Sequence, residues 1–170
     1  FMLNAALVQD RERLGGDLTT NDPKKQLQEE SGGLTVDNSS AETHCTIYTI
    51  SESPKNAKTI WVGTDDGNVQ LSRNAGKSWT NVVANVPGLP KNTWVSWIEA
   101  GAFDEGTAFA TFDGHGTGDM TPRIYKTTDF GKSWVSLSTS DLKGFAHVVR
   151  QDPVNPALLY LGTEAGLFIS

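Results

Sequence analysis

The stretch LSRNAGKSW at residues 71–79 decides the fold, because it returns as KTTDFGKSW at residues 126–134. Both copies carry a hydroxyl residue, then Asn or Asp two positions later, then Gly-Lys-Ser-Trp. Self-similarity of this kind indicates a repeat architecture. Working outward, each copy follows a strand-like run that ends at a glycine turn, at residues 58–67 and 106–114, and a third such run lies at residues 157–166. The chain is therefore predicted to consist of repeating units.

A further strand-like run opens each unit, and its end at Pro54, Asp104 and Pro153 gives a period of about 50 residues. Within a unit, β-branched and aromatic residues alternate with polar ones over four short runs. Four short strands in 40 to 50 residues are typical of a propeller blade. The predicted fold class is all-β: a partial β-propeller of four-stranded antiparallel blades, with about three blades and a long amino-terminal loop.

The predicted organisation has four segments. They are an amino-terminal remnant of a preceding blade with an acidic loop at 1–44, blades at 45–91 and 92–141, and a truncated blade at 142–170. In the first segment, Asp22 and Pro23 followed by KKQLQEE and Gly32 predict one short helix.

The number of units is too small for a closed propeller. A closed propeller requires at least four blades, and the chain stops where Ser170 aligns with Ser72, so we expect a piece of a longer protein. Blade faces left uncovered predict self-association, or packing against missing blades of the parent protein.

The repeated turn is explained by its residue types. A hydroxyl bonds local backbone, Asn or Asp caps N–H groups two residues on as in an Asx turn, and Gly supplies a positive φ. The Trp begins the next strand and covers the hairpin with a ring whose burial is worth roughly 2 to 3 kcal/mol. In chain order these residues are Ser72, Asn74, Gly76 and Trp79 in the first copy and Thr127, Asp129, Gly131 and Trp134 in the second. The two turns are predicted to clamp their hairpins.

The pattern Ser/Thr-x-Asp/Asn-x-Gly-x-x-Trp resembles the Asp-box, or bacterial neuraminidase (BNR) repeat, of sialidases, other glycoside hydrolases, photosystem assembly factors and sortilin-like propellers. Asn74 is a departure, since the family has Asp there. The stretches DLTTNDP, SGGLTVDN, WVGTDDGNV and LYLGTEAGLF, which begin at residues 17, 31, 61 and 159, more closely resemble sortilin-like (VPS10-like) propellers of large secreted bacterial proteins.

This resemblance implies a non-enzymatic binding module that recognises a peptide or protein ligand, with carbohydrate as a further possibility. It implies an extracytoplasmic location, secreted or periplasmic, with a signal outside this chain. The alternative is a fragment of a glycoside hydrolase of the sialidase or xyloglucanase kind, or its carbohydrate-binding part. Sialidase activity is disfavoured because Arg73 sits in a repeated turn and Arg123 is not followed by Ile-Pro.

Composition excludes several classes. The chain has 14 basic and 20 acidic side chains, a formal charge of −6, and a pI of about 5.0, which argues against nucleic-acid or anionic-membrane partners. Cys45 is the only cysteine, so an intrachain disulfide and a paired-cysteine zinc site are excluded. The apolar opening at residues 1–8 lacks a basic leader and is too short to span a membrane. No cofactor is expected.

The candidate ligand-binding carboxylates fall at equivalent turns after the second strand of successive units, so we expect them to ring one face. They are Asp65, Asp66, Asp113 and Glu164. A pair of carboxylates is what a glycoside hydrolase requires. The favoured interpretation is structural, because Asp and Gly in hairpin turns serve the backbone. If the carboxylates were catalytic, two of them would share an open cleft; otherwise turn N–H groups would satisfy them.

Other side chains are weaker candidates. His115 lies in a glycine-rich insertion at residues 114–121 with Asp113 and Asp119, so a mixed metal site is conceivable, although a flexible loop is favoured and no metal is predicted. Trp94 and Trp97 are expected on opposite faces of one strand, one packed between blades and the other a candidate for exposure.

Overall fold

The computed structural model describes residues 16–26 and 44–170. These residues contain three separate antiparallel sheets of four, four and three strands, each a meander in which consecutive strands pair. We number the sheets blades 1 to 3. The predicted all-β architecture of four-stranded antiparallel units is confirmed, with a third sheet of three strands.

The strand bounds are as follows. Blade 1 contains β1 (Ile47–Ser53), β2 (Asn56–Thr64), β3 (Val69–Ser72) and β4 (Thr80–Asn81). Blade 2 contains β5 (Trp94–Ala100), β6 (Ala108–Gly114), β7 (Asp119–Thr127) and β8 (Val135–Ser136). Blade 3 contains β9 (Ala146–Gln151), β10 (Leu159–Thr163) and β11 (Gly166–Ile169).

The first strands of neighbouring blades, β1, β5 and β9, lie side by side. Polar side chains join them to backbone of the neighbouring blade: Ser51 Oγ accepts from the N–H of Ala100 at 2.9 Å, and Gln151 Oε1 accepts from the N–H of Ala102 at 2.9 Å. Blade 2 is packed on both sides, and all seven residues of β6 are buried. A strand covered on both faces has no need of polar alternation, which explains the run Ala-Phe-Ala-Thr-Phe.

Two apolar clusters fill the spaces between blades. The cluster between blades 1 and 2 includes Trp61, Val69, Leu71, Val95, Ile98, Phe112 and Trp134. The cluster between blades 2 and 3 includes Phe109, Ile124, Ala146, Val149 and Leu161. Since each sheet alone would expose these faces, the burial of apolar area between blades is the main source of stability.

Gly63 sets the approach of blades 1 and 2. A Cβ at this position would lie 2.5 Å from Val95 Cγ1 and 2.7 Å from Thr49 Cγ2, distances that no packed core accommodates. The absence of a side chain at Gly63 therefore lets the first strand of blade 2 pack directly on blade 1.

The two Gly-Lys-Ser-Trp turns, residues 72–79 and 127–134, have the same local geometry. The hydroxyl of Thr127 accepts from the N–H of Gly131 at 3.0 Å, and Ser72 Oγ accepts from Gly76 at 2.8 Å. Positive φ is confirmed at both glycines, 83° at Gly76 and 74° at Gly131. The residue before each glycine also has a positive φ, so two consecutive left-handed residues make the bend.

The predicted Asx turn is wrong in its register. Asn74 Oδ1 and Asp129 Oδ1 accept from N–H groups four residues on, at Ser78 and Ser133, at 2.9 Å in both turns. The hydroxyls of Ser72 and Thr127 already accept from the nearer N–H groups. The side chains of Asn74 and Asp129 therefore accept from N–H groups at the far end of the bend. Asn replaces Asp in the first turn without loss of this bond, because an amide oxygen accepts as a carboxylate oxygen does.

The tryptophans of the two turns differ in burial. Trp134 is buried and meets Trp61 of blade 1 edge-on, with ring centroids 6.1 Å apart. Its ring therefore joins two blades, where the sequence predicted that it would cover its own hairpin. Trp79 is half-buried.

The short helix is observed at its predicted start. Pro23–Lys25 forms a single 3-10 turn, and Asp22 Oδ1 accepts from the N–H of Lys24 at 3.0 Å. Two further 3-10 turns lie at Val83–Asn85 and His115–Thr117. The predicted blade remnant at the amino terminus and the rest of KKQLQEE and its loop lie outside the described residues. In the described part of the chain, no helix is long and apolar enough to cross a membrane.

Replacement of Thr127 by Val tests the turn. The Thr127→Val variant keeps the shape of the side chain but leaves the buried N–H of Gly131 without its acceptor, so we expect a loss of about 1 to 3 kcal/mol in unfolding free energy. Urea denaturation followed by tryptophan fluorescence measures it. The control is Thr128→Val at the exposed neighbouring threonine; equal effects of the two variants would contradict the role of the hydroxyl.

Replacement of Gly63 by Ala tests the approach of blades 1 and 2. We expect Gly63→Ala to lower the unfolding free energy by about 1 to 3 kcal/mol, since the added methyl overpacks the contact with Val95. The matched control is Gly116→Ala, where an added Cβ meets nothing within 4 Å. Thermal melts of both variants decide the point, and a Gly63→Ala protein as stable as the control would disprove the constraint.

Candidate functional site

One end of the blades gathers the predicted site residues. In each antiparallel blade, the first strand begins at the end where the second strand stops; we call this end the upper face. Asp65 follows β2, Asp113 lies within β6 near its end, and Glu164 follows β10. The topology therefore brings these three turn carboxylates to one face, as the repeat predicted, although their surroundings differ.

Asp65 is held by the start of blade 1. Its Oδ1 accepts from the N–H of Thr46 at 2.7 Å, and its Oδ2 lies 3.6 Å from Nδ1 of His44. Burial raises the pKa of Asp65, and the Thr46 N–H and His44 oppose that rise without cancelling it. The carboxylate of Asp65 is therefore held by the residues that lead into β1.

Asp66 is buried, with 1% of its surface exposed, and it binds the amino-terminal segment at residues 16–26. It accepts from the N–H of Thr20 and from the hydroxyl of Thr64. Burial acts to raise the pKa of Asp66, but the bonds from Thr20 and Thr64 outweigh it and hold the pKa below the ordinary value. Asp66 is therefore a structural anchor, and no ligand reaches it while the segment is in place.

Asp113 and His115 form a pair at the top of blade 2. Nδ1 of His115 lies 2.7 Å and 2.8 Å from the two carboxylate oxygens of Asp113, which also accepts from the N–H of His115. The carboxylate is nearly inaccessible, whereas 46% of the histidine side chain is exposed. The imidazole ring also stacks on Phe145 of blade 3, with centroids 4.5 Å apart.

The insertion does not bring three ligands together. Asp119 pairs with Arg123 at 2.5 Å, and this hydrogen bond lowers the pKa of Asp119 to about 2. Within the described residues, no group of three or more His, Cys, Asp or Glu side chains is arranged to hold a metal ion. Glu164 is exposed.

Two groups of packed aromatic rings lie at the upper face, one between blades 1 and 2 and the other between blades 2 and 3. Tyr48 of blade 1 meets Trp94 of blade 2 edge-on at 4.8 Å, and Trp94 is the cross-strand neighbour of Asp113. Beyond the His115 and Phe145 stack, Phe145 meets His147 at 4.7 Å. We call these rings the aromatic row: Tyr48, Trp94, His115, Phe145 and His147.

Exposure within the aromatic row is uneven. Tyr48 is 47% exposed and His147 is exposed, while Trp94 is half-buried and Phe145 is buried. The row therefore combines accessible rings with rings fixed by packing. Of these rings, Trp94 and His115 were candidates from the sequence, whereas Tyr48, Phe145 and His147 were not predicted as site residues. The available signal was an aromatic residue at or near the start of each first strand.

The rings of the two tryptophans of β5 contact different blades, although a register shift between Val95 and Trp97 interrupts the strand alternation from which opposite faces were predicted. Trp97 packs against the cluster between blades 2 and 3, and its Nε1 donates to Glu99 Oε2 at 3.3 Å. The ring of Trp94 contacts Tyr48 of blade 1 and is half-buried. The expectation that one of the two tryptophans would be exposed is therefore wrong.

Comparisons with known proteins give a match in shape alone. No family model matches the chain, and no curated protein matches it. Among solved structures, an ancestral GH74 enzyme is similar, with a TM-score of 0.57, 19% identity, and coverage of 81% of this chain and 18% of that one. YCF48 bound to D1 peptide is similar with a TM-score of 0.52, 15% identity, and coverage of 73% of this chain and 37% of that one.

A GH74 xyloglucanase from Xanthomonas campestris is also similar, with a TM-score of 0.52, 12% identity, and coverage of 73% of this chain and 22% of that one. These matches show the fold: the three sheets correspond to part of a β-propeller. The chain spans well under two thirds of the length of these structures. The likeness to sortilin-like propellers stays a prediction.

The anchoring role of Asp66 predicts a local effect. In Asp66→Asn the N–H of Thr20 loses a charged acceptor, so we expect its amide protection factor to fall about tenfold or more. Because the folded-state pKa of Asp66 is lowered, its stabilisation is present above the ordinary aspartate pKa and is lost as pH falls below that value. Hydrogen exchange followed by mass spectrometry reports both effects, with Glu164→Gln as the control. Unchanged protection in Asp66→Asn would refute the anchor.

Proposed function

We propose that this chain is part of a non-enzymatic binding module that holds a peptide or protein segment on the upper face, along the aromatic row. The observation that carries the proposal is that the carboxylates of the upper face are already hydrogen-bonded, whereas aromatic rings on the same face are exposed. Asp65, Asp66 and Asp113 already accept bonds from the chain's own turns and strands, whereas Tyr48 and His147 present rings to solvent.

Aromatic rings fixed in place suit peptide recognition. They offer large contact area at low cost in side-chain entropy, and their edges and faces accept proline, aliphatic and cationic groups. Packing of Tyr48 against Trp94, and of His115 against Phe145, orders rings before a ligand arrives. Preorganisation of this kind lowers the entropic penalty of binding. YCF48, a propeller of similar fold, binds the D1 peptide, which supports this use of the architecture.

The charge of the upper face indicates the kind of peptide. Glu164 is exposed there, and Asp65 retains 13% side-chain exposure, while the chain as a whole carries a charge of −6. An exposed carboxylate on the face that carries the accessible rings favours a segment that contains Lys or Arg beside apolar residues. We also propose, from the sequence motifs, that the parent protein is a sortilin-like propeller that works outside the cytoplasm.

A glycoside hydrolase fragment is the second candidate, favoured by the similarity to an ancestral GH74 enzyme over 81% of this chain. Its weakness is chemical. A hydrolase needs two free carboxyl groups flanking a bond, and three of the four carboxylates predicted from the turns are engaged in hydrogen bonds. The fourth, Glu164, is exposed. In this alternative, the aromatic row stacks on sugar rings.

Selection from a displayed library of random short peptides tests the proposal. We expect the chain to enrich sequences that combine Lys or Arg with apolar residues, and Tyr48→Ser to weaken binding of the selected peptides about tenfold. The matched control is Phe103→Ser, an aromatic residue 40% exposed in the turn between β5 and β6, at the opposite end of the blade. Isothermal titration gives the affinities.

Three outcomes would count against a peptide site. They are the absence of enriched peptides, equal loss in Tyr48→Ser and Phe103→Ser, and binding or cleavage of xyloglucan oligosaccharides that depends on Tyr48. The last result would favour the hydrolase-derived alternative.

A further inference from the structure

The second hairpin of blade 2 is longer than its counterpart in blade 1. Strand β7 has nine residues where β3 has four, and the added residues lie at the upper end. The 3-10 turn His115–Thr117, followed by Gly118 at a φ of 81°, closes the bend. This extension lets the ring of His115 stack on Phe145 of blade 3. The insertion therefore places an imidazole on the upper face where blades 2 and 3 meet.

Asp113 determines which nitrogen of that imidazole carries the proton. Its two carboxylate oxygens lie 2.7 Å and 2.8 Å from Nδ1 of His115. A carboxylate only accepts hydrogen bonds, so the proton of the neutral ring lies on Nδ1 and the lone pair lies on Nε2. No residue in the described part of the chain bonds Nε2, and 46% of the side chain is exposed. Neutral His115 thus offers a hydrogen-bond acceptor to solvent.

Glu164 provides a second acceptor beside the same residues of blade 3. Its N–H donates to the carbonyl of Phe145 at 3.1 Å. A Cβ on Gly144 would lie 2.9 Å from Glu164 Oε2, so the carboxylate lies directly over Gly144. The exposed carboxylate and the imidazole nitrogen both belong next to Gly144 and Phe145. Ammonium and guanidinium groups are the donors that such a pair of acceptors suits best.

Other charged groups near His115 are already engaged. Asp119 of β7 pairs with Arg123, and Nζ of Lys143 donates to the carbonyl of Ser140 at 3.1 Å. Glu164 has no ion pair among the described residues. The titratable and charged groups that face this region from the surrounding elements are Asp113, Asp119, Arg123, Lys143, His147 and Glu164.

We propose that His115 Nε2 and the Glu164 carboxylate together receive the Lys or Arg side chain of the bound peptide, and that protonation of His115 releases it. This inference rests on the proposed peptide site. A proton on Nε2 converts the acceptor into a donor and adds a positive charge beside the cation of the peptide. Histidine changes charge between pH 5 and 8. Binding is therefore strong above that titration and is lost as pH falls through it.

Nuclear magnetic resonance of the free, whole chain tests the tautomer without any ligand. Two-bond ¹H–¹⁵N correlation spectra distinguish a protonated from an unprotonated ring nitrogen. At about pH 7.5, where a histidine is mostly neutral, we expect His115 to show an unprotonated Nε2 and a protonated Nδ1. The opposite tautomer would remove the acceptor and overturn the proposal.

Isothermal titration with the Lys- or Arg-containing peptides enriched from the displayed library tests the release. A site that accepts only neutral histidine loses about tenfold in affinity between about pH 7.5 and about pH 5.5. His115→Asn, whose amide can still donate to Asp113, should bind more weakly at the higher pH and equally at both. The matched control is His44→Asn, a histidine beside Asp65 at the same end of the blades, which should keep the tenfold ratio.

A second control changes the peptide. The same peptides with Met in place of Lys or Arg should bind with no dependence on pH, because they carry no cation for His115 to repel. Equal affinities of the basic peptides at both pH values, or a ratio that persists in His115→Asn, would overturn the release and leave the peptide site in place. Absence of binding at both pH values would refute the peptide site and this inference together.

Discussion

The contact between blades 1 and 2 is the constraint on which the rest of the structure depends. Trp134 meets Trp61 across it, and the backbone at Gly131 packs so close to Val82 that a Cβ there would lie 2.8 Å from Val82 Cγ2. A single sheet has no interior, so each blade becomes stable only when its faces are covered. The bend at Thr127 and Gly131 therefore serves the interface between blades as much as its own hairpin.

The sequence predicted the features whose causes are local. The hydroxyl, the glycine and the bend of each Gly-Lys-Ser-Trp turn lie within five residues, so residue types alone define their geometry. What the Trp134 ring touches depends on a strand some seventy positions earlier, and periodicity carries no information on that contact. The position of Trp61 is held by Phe109 in blade 2 and Tyr160 in blade 3. Different side chains fill equivalent places, which accounts for a likeness to known propellers that is seen in shape more than in sequence.

The candidate site shows the same division. The common position of Asp65, Asp113 and Glu164 after a second strand follows from the repeat. The hydrogen bonds and the burial of each carboxylate do not follow from the repeat, because they depend on neighbouring residues that differ from one blade to the next. The carboxylate of Asp66 is occupied by a hydrogen bond from Thr20, which lies 46 positions away. The ring of Tyr48 packs against Trp94, which lies in another blade. Distant pairings of this kind require coordinates.

The thiol of Cys45 lies beneath the amino-terminal segment, 3.6 Å from the hydroxyl of Thr20 and 2% exposed. Burial raises its pKa, against weaker opposing hydrogen bonds, so little thiolate exists at neutral pH. Oxidants and alkylating reagents consequently meet an inert sulfur for as long as the segment is seated. The segment at residues 16–26 therefore protects the chain's single thiol from modification without a disulfide or a metal.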